Sequence, residues 1–517
     1  MRSVRLWSIL FVSSLAWVLP VHAQGITGSI GGVVRDPSGA VIPGVEVTVV
    51  HTGTNAVFRG LSNENGIYSI RALPIGTYNL TAELPGFKKF EVTGIRVQVD
   101  ENVRVDIRLQ LGELTETVEV TSAVVGIDTQ SSTLKTVVDQ ARIEELPLDG
   151  RNPADLLRLV PGVAPYSGAG LTSGTTYPGA VNVTIGGSRG NTTNFILDGG
   201  QHNDHYSNSN NPMPNPDALA EFSVQTNNFS AEFGRNLGAV VNAVTKSGTN
   251  ELHGTLFGYL RNHALNAAHF FAPPKPDDPT EKQDDGLKRS QFGGTIGGPV
   301  WLGGLYDGRN KTFFFFSYQG TRIRRTPITQ FVNTFTAAER RGDFSALSKQ
   351  LIDPFTGEPY PNNQIPLDQL NPVARYIVDN LIAVPTQGRQ ISFATVQNQD
   401  DNQYLIKLDH NLTPTNVLSG RYFYSKASQP GFLDQKNIYN NVDIREWWNR
   451  NVVLRDTHTF SPTMLNEAMF SFNQSEGPLQ HVYPEKDYNE LGIEGVSQDD
   501  FPQYYFSIQG LSGINTG

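Results

Sequence analysis

Cysteine is absent from this 517-residue chain, which excludes disulfides, thiolate metal centres and a lipidated N-terminal cysteine. Charge is sparse as well: Asp, Glu, Lys and Arg make up 17% of the residues, the formal net charge is −10, and no basic cluster stands out. Nucleic-acid binding depends on phosphate neutralisation by Lys and Arg, so nucleic acid is not an expected partner. Beyond the N-terminus no apolar run reaches the ~20 residues of a membrane-spanning helix. Insertion into lipid would therefore have to use β-strands, the other arrangement that satisfies backbone polar groups internally. The H-E-x-x-H, P-loop and dinucleotide fingerprints are also missing. No enzyme, no cofactor and no metal centre is expected.

What is present points to β-structure and export. The chain holds 50 Gly, 31 Pro and 18 Tyr, a composition of turns and strands rather than helices. Its length suggests about three domains. Arg2 and Arg5 precede an apolar run over residues 6–19, and Val21-His22-Ala23 before Gln24 has the small-residue pattern of a cleavage site. Residues 1–23 therefore read as a secretory signal peptide.

Residues 25–112 contain short Val, Ile and Tyr-rich runs at 30–34, 45–51, 67–71, 78–82 and 103–109, separated by turns such as Asp36-Pro37-Ser38-Gly39 and Asn63-Glu64-Asn65-Gly66. This spacing predicts a β-sandwich of about seven strands. Gly32, Asp36, Gly39, Pro43, Gly44, Gly66, Tyr68, Pro74, Gly76, Tyr78, Gly86 and Phe87 stand in the register of the carboxypeptidase-regulatory-like family. The resemblance implies a prealbumin-like or starch-binding-like fold, an accessory domain without catalytic residues. Carbohydrate binding follows from fold analogy alone.

Residues 113–132 form a β-branched strand and a polar linker. An extended strand beside a flexible linker can add to the sheet edge of a partner, and it also reads as the last strand of the sandwich. Glu116, Thr117, Val118, Glu119, Val120 and Thr121 resemble the TonB box of TonB-dependent receptors, which implies contact with the periplasmic protein TonB.

Residues 133–250 resemble the plug domain of those receptors, in the Oar-like group that carries a preceding sandwich. The likeness runs through Ile143-Glu144-Glu145-Leu146-Pro147-Leu148-Asp149-Gly150-Arg151-Asn152, Ile185-Gly186-Gly187-Ser188-Arg189-Gly190 and Asn194-Phe195-Ile196-Leu197-Asp198-Gly199. The residues themselves predict an α/β unit with a helix at 153–159 and strands at 181–185, 193–197, 221–226 and 238–245. Gly186-x-Ser188-x-Gly190 matches a nucleophile elbow, but that motif requires a following helix, and a strand is expected here. His202, Asp204 and His205 are of metal-ligand type, without supporting spacing. His202, Asn203, Asp204, His205 and Tyr206 are instead candidate hydrogen-bonding residues for an external ligand, on a loop at the outer side of the plug.

From residue 251 the pattern becomes a run of strands at 252–262, 289–298, 311–322, 403–410, 417–425, 449–459 and 464–473, with an eighth candidate at 503–508. Apolar and polar residues alternate, as in Tyr404, Ile406 and Leu408 against Gln403, Lys407 and Asp409, which suits a lipid face and a polar lumen. Connections alternate long (264–288, 326–402, 426–445) and short (299–310, 411–416, 460–463). Outer-membrane barrels place short turns in the periplasm and long loops outside. Tyr422-Phe423-Tyr424 and Trp447-Trp448 fall near the external strand ends, where aromatic girdles are expected; Trp447-Trp448 reads equally as a loop's own small core. The family implies a barrel of about 22 strands, so residues 251–517 are expected to be a partial barrel and the chain a piece of a larger receptor.

The expected fold is mainly β: a prealbumin-like sandwich, an α/β plug, and a partial antiparallel outer-membrane barrel. The resemblance implies an outer-membrane receptor or transporter with an external ligand, working with TonB, its inner-membrane energy-coupling proteins and outer-membrane lipid. A surface adhesin and an exported carbohydrate-binding protein are the competing readings.

Overall fold

The computed structural model describes residues 26–112, 117–120, 133–165, 177, 180–181 and 183–480, apart from 231–232, 235–236, 326–327, 386–387, 396–397, 462–463 and scattered positions between 269 and 285, together with 490, 505–506 and 514–515. The signal-peptide region 1–23 and residues 116 and 121 lie outside the described residues.

The sandwich contains β1 (Gly28–Arg35), β2 (Glu46–His51), β3 (Val57–Leu61), β4 (Ile67–Leu73), β5 (Gly76–Glu83), β6 (Lys89–Val97), β7 (Asn102–Arg104) and β8 (Ile107–Arg108). One sheet runs β3-β2-β5-β6; the other runs β4-β1-β7, with β8 also pairing β1. Inward residues of both sheets, among them Ile30, Val47, Val49, Tyr68, Tyr78, Leu80 and Ile95, make one apolar core. The two tyrosines satisfy their hydroxyls by donating to Val105 O and Pro74 O, each at 2.6 Å. Glycine is required at position 32, where a Cβ would lie 2.0 Å from Val105 O. β3 and β6 were not expected from the sequence: β6 is interrupted at Gly94, whose φ of 76° accompanies a register shift against β5. The single strand expected at 103–109 is two, β7 and β8.

A ninth strand, β9 (Thr117–Val120), lies on the free edge of β6 in parallel register, from Lys89 opposite Thr117 to Val92 opposite Val120.

The plug contains β10 (Leu134–Asp139), α1 (Gln140–Glu145), β11 (Val163–Pro165), β12 (Val183–Ile185), β13 (Asn194–Leu197), β14 (Gly200–Gln201), β15 (Leu219–Asn227) and β16 (Val240–Thr245). Its sheet runs β10-β15-β16-β13-β14. Val138, Phe195, Leu197, Phe222, Val224, Val241 and Ala243 face Ile143, Leu156 and Leu157 in the plug core. The helix expected at 153–159 is a 3-10 segment, Pro153–Leu159. Asn152 caps the Ala154 N–H at 3.2 Å, and the Val160 N–H turns back three residues to Leu157 O at 3.1 Å, so the tighter winding closes the segment.

Next come β17 (His253–Asn262), β18 (Leu287–Pro299), β19 (Thr312–Arg325), β20 (Ile328–Asn333), α2 (Pro372–Asn380), β21 (Gln390–Thr395), β22 (Asn398–Thr413), β23 (Asn416–Gln429), β24 (Phe432–Asp434), β25 (Asn437–Val442), β26 (Ile444–Ser461) and β27 (Met464–Glu476). The main sheet is an antiparallel meander, β17-β18-β19-β22-β23-β26-β27. Most strands outrun their expected lengths, because polar residues beyond the apolar band still pair with their neighbours, as Asp400 does with Arg322 and Ser428. Of the eighth candidate only Tyr505–Phe506 lie among the described residues, and they pair with Ile514–Asn515.

Short connections all lie at the end where the plug chain runs into β17; long ones lie at the other. Two of the long connections, between β19 and β22 and between β23 and β26, carry packed structure of their own. α2 packs Ile377, with Leu381 and Ile382, on Ile438 of β25, and Arg340 donates to Ile382 O and Ala383 O at 2.8 Å each.

The sandwich docks at the short-turn end. The Asn250 N–H donates to Gly53 O at 2.9 Å, and Asn55 Nδ2 donates to Asn310 Oδ1 at 2.9 Å. A second contact grips the plug: Lys135 Nζ donates to Val99 O at 2.8 Å, Gln225 Nε2 to Asp100 Oδ2 at 2.9 Å, and the Val99 N–H to Glu221 Oε2 at 3.1 Å. Burial pushes the Glu221 carboxyl up to about 7 from an ordinary 4.5. A raised carboxyl pKa means the folded state holds the proton more tightly than the unfolded chain. Its stability contribution is full below the ordinary value and is lost as pH rises through the folded one. Thermal unfolding of the purified protein across about pH 5 to 8 is expected to show this decline, and Glu221→Gln, which keeps the acceptor without the charge, to flatten it. A steeper decline in that variant would refute the assignment.

Candidate functional site

The main sheet has two chemically different faces. Tyr404, Ile406, Leu408, Leu454, Phe470 and Phe472 are exposed on one; Ser317, Gln319, Gln403, Lys407, Arg421, Ser425, Asn449 and Asn451 are buried on the other. Cross-strand register assembles the outward side chains into layers. Phe316, Ile406, Tyr422, Val452 and Phe472 stand in one row, and Phe314, Leu408, Gly420, Leu454 and Phe470 in the next. Toward the long loops these end in an aromatic row of Tyr318, Tyr404 and Tyr424, with ring centroids 5.0 and 6.4 Å apart. An apolar belt bounded by aromatics is what a barrel presents to lipid. Phe423, expected to lie in that girdle, is instead buried on the inner face, because it is one residue out of phase with Tyr422 and Tyr424.

The inner face is not a uniformly polar lumen. Phe315, Leu405 and Phe423 belong to the same apolar core as the plug residues, and the polar groups around them bind plug backbone and side chains. The centre of this interface is Asp198. It occupies the two-residue turn Asp198-Gly199 between β13 and β14, where both residues have positive φ, 49° and 81°. Asp-Gly in a hairpin turn favours that geometry, and it points the carboxylate at the strand array. Asp198 Oδ2 accepts from Arg421 Nε at 3.0 Å and from Thr245 Oγ1 at 2.9 Å, and Oδ1 accepts from the Thr245 N–H at 2.9 Å. Arg421 also donates to Leu197 O at 2.9 Å and Asn451 O at 3.2 Å. Lys407 Nζ donates to Thr245 O, and Arg455 donates to Asp198 O, both at 3.3 Å. Sequence reasoning quoted Asp198 as part of a family motif and overlooked its role. A lone Arg at an inward position of β23 and an Asp-Gly turn were the available signals.

A second anchor lies near α1. Asp149 accepts from Arg261 and Arg289 at 2.6 and 2.8 Å. Arg151 pairs with Asp217 and stacks on Phe257 and Tyr259 of β17, 4.8 and 4.3 Å from the ring centroids.

The proposed ligand loop is divided by the fold. His202 is fully buried: its Nε2 lies 2.8 Å from Pro212 O, its ring meets Phe423 edge-on, and burial drives its pKa down to about 3, so the ring is neutral. Asn203 is buried too, its Oδ1 accepting from the Phe195 N–H at 2.8 Å and its Nδ2 donating to Thr193 O at 2.9 Å. Asp204 caps its own loop through the Ser207 N–H at 2.8 Å. His202 and Asn203 are thus enclosed by the plug, and Asp204 braces the loop on which it stands. His205 and Tyr206 are the exposed members, Tyr206 at 81%. The loop reaches the long-loop end, where Tyr177, Asp204, Asn210 and Asn211 border a recess of about 40 Å³ with Trp447, Trp448 and Glu476. Among the described residues no three His, Asp or Glu side chains converge as metal ligands. Ser188 stays in a turn, its Oγ accepting the Ile185 N–H at 3.3 Å, with no helix behind it.

A lipid-facing antiparallel sheet whose inner face is filled by a plug defines a plugged outer-membrane β-barrel protein. The outer membrane beta barrel domain family matches residues 244–517, and the chain belongs to it; it is a protein of the outer membrane. The TonB-dependent Receptor Plug Domain family matches residues 128–241, and the carboxypeptidase regulatory-like domain family residues 29–110. The chain is 28% identical over 325 residues to the TonB-dependent transporter Oar of Myxococcus xanthus, covering 62% of this chain and 30% of that one. Among solved structures it is similar to the siderophore receptor PirA from Pseudomonas aeruginosa, at 13% identity and TM-score 0.36, covering 67% of this chain and 41% of that one. It is also similar to the outer membrane transporter YddB from Escherichia coli, at 14% identity and TM-score 0.38, covering 63% and 37%. The chain thus spans less than half the length of each of these relatives.

The Asp198–Arg421 pair yields a direct test. Removing one member of a buried ion pair strands the other charge and costs about 3–5 kcal/mol. Asp198→Asn is expected to loosen the plug from the sheet, read as faster protease cleavage within 133–250. The double variant Asp198→Asn with Arg421→Gln should lose less than the sum of the single changes; additive losses would mean that the two groups are not coupled.

Proposed function

We propose that this protein acts as a TonB-dependent receptor or transporter of the outer membrane. In this reading 1–23 directs export, 25–112 is a periplasmic accessory domain, 113–132 carries the TonB-contacting strand, 133–250 is the plug and 251–517 contributes barrel strands. An external ligand meets the plug loop at His205 and Tyr206 and the long connections around Trp447 and Trp448. The periplasmic TonB protein, driven by its inner-membrane partners, pairs with residues 116–121. The fold carries no catalytic role in this account.

The observation that carries the proposal is the order of the plug sheet. Among the described residues β10 is the first plug strand after the proposed TonB-contacting strand, and it stands at the sheet edge, paired there with β15. Tension on the preceding segment therefore loads β10 first, through its pairing with β15 and the Lys135 contact with the sandwich, while Asp198 holds the far side of the sheet, the β13–β14 turn, to Arg421. Edge-strand removal opens part of the plug without breaking its buried ionic anchor. That is the mechanical asymmetry a force-opened plug needs.

Deleting residues 116–121 from the full-length protein is expected to abolish crosslinking to TonB while outer-membrane fractionation and heat-modifiable migration stay at the wild-type level. Unchanged crosslinking would sink the coupling. A surface phenotype that is identical in a strain lacking TonB would favour the adhesive reading instead.

A further inference from the structure

The strand proposed to engage TonB is already engaged. Thr117, Val118, Glu119 and Val120 pair in parallel with Lys89, Phe90, Glu91 and Val92 of β6. A strand's exposed edge is what β-augmentation uses, since main-chain hydrogen bonds supply the affinity. Backbone groups bonded to β6 are not free for a second sheet on that side. The chain just before β9 is fixed to the same edge: the Lys88 N–H donates to Gln110 O at 2.8 Å and the Gly112 N–H to Gly86 O at 3.3 Å. These contacts form a fixed root from which β9 is laid onto β6.

Three features make the pairing reversible. Among the described residues it covers four pairs, it is parallel, the slightly weaker arrangement per residue, and β9 has one sheet neighbour there. Among the described residues the apolar core of the sandwich is built from inward residues of β1 to β8 and the segments that adjoin them, up to Leu109. The other end of β6 leads into the corner of residues 98–101 that grips Lys135 and Gln225 of the plug. The same strand thus holds the proposed force-bearing segment at its start and runs toward the plug contact at its end.

We infer that β6 is an intramolecular competitor for the TonB-contacting strand: the sandwich latches β9 on its edge, and TonB pairs with the receptor only after β9 peels away from its Val120 end, the root at 110–112 staying in place. The latch rests on the reading of 116–121 as the TonB-contacting segment. It gives the sandwich a role, setting how often the coupling strand is available, that does not depend on carbohydrate binding.

These 517 residues hold no cysteine, so a pair introduced among them meets no native thiol in this part of the protein. Glu91 and Glu119 are register partners, and neighbouring strands bring Cα atoms within disulfide range. In the full-length protein carrying Glu91→Cys and Glu119→Cys, oxidation is expected to form the single disulfide and to weaken binding of the purified periplasmic domain of TonB at least tenfold. Reduction of the same sample should restore it, which separates latching from misfolding. Failure of the disulfide to form, or equal binding by the oxidised and reduced forms, overturns the latch while leaving TonB contact in place. Absence of binding by both the reduced variant and the wild-type protein overturns the TonB reading itself, and the latch with it.

Discussion

The buried contact between the Asp198 carboxylate and the Arg421 guanidinium is the constraint around which the membrane part of this protein is arranged. A charge on a barrel strand must be compensated once a plug excludes water from it. Here the compensation is local and dense: Asp198 accepts from Arg421 and from both the backbone and hydroxyl of Thr245, while Arg421 spends its remaining donors on Leu197 O and Asn451 O. Plug and sheet consequently specify one another. Without the plug, Lys407, Arg421 and Arg455 would line the inner face without these partners; without the sheet, the β13–β14 turn would leave Asp198 unpaired by any arginine.

The main sheet satisfies two solvents at once. Its outer rows offer Phe, Ile, Leu and Tyr to lipid, and its inner rows offer amides, hydroxyls and charges to the plug, with Phe315, Leu405 and Phe423 completing the plug's apolar core. A period of two puts these demands on alternate residues of the same strand. The mixed inner face is the direct result of packing a folded domain there instead of water.

The short-turn end shows a different kind of economy. The sandwich touches the first barrel turns through Gly53 and Asn55, grips the plug through residues 98–101, and carries β9 on β6. Glu221 sits between sandwich and plug as an acid held partly protonated near neutral pH by burial. The sandwich is thus connected to every moving part proposed for the coupling step, although its strands are separate from the main sheet.

Much of the architecture was legible in the residues themselves. Absence of long apolar helices left strands as the only way into lipid, turn signals marked the sandwich, and alternation with unequal connections oriented the barrel strands. Those features are local, and the backbone's need for hydrogen bonds makes them decisive. Other features depend on which residues meet across the fold. Gly94 concealed β6 because a bulge looks like a turn in one dimension. His202 and Asn203 read as ligand donors until the plug core enclosed them. Asp198 and Arg421, 223 positions apart, have no sequence signature as a pair. Sequence alone marked most of the strands and the apolar faces of the barrel strands. Only tertiary structure decided which polar groups are consumed in holding plug to sheet and which remain free to meet a partner, because burial and pairing are properties of contact rather than of composition.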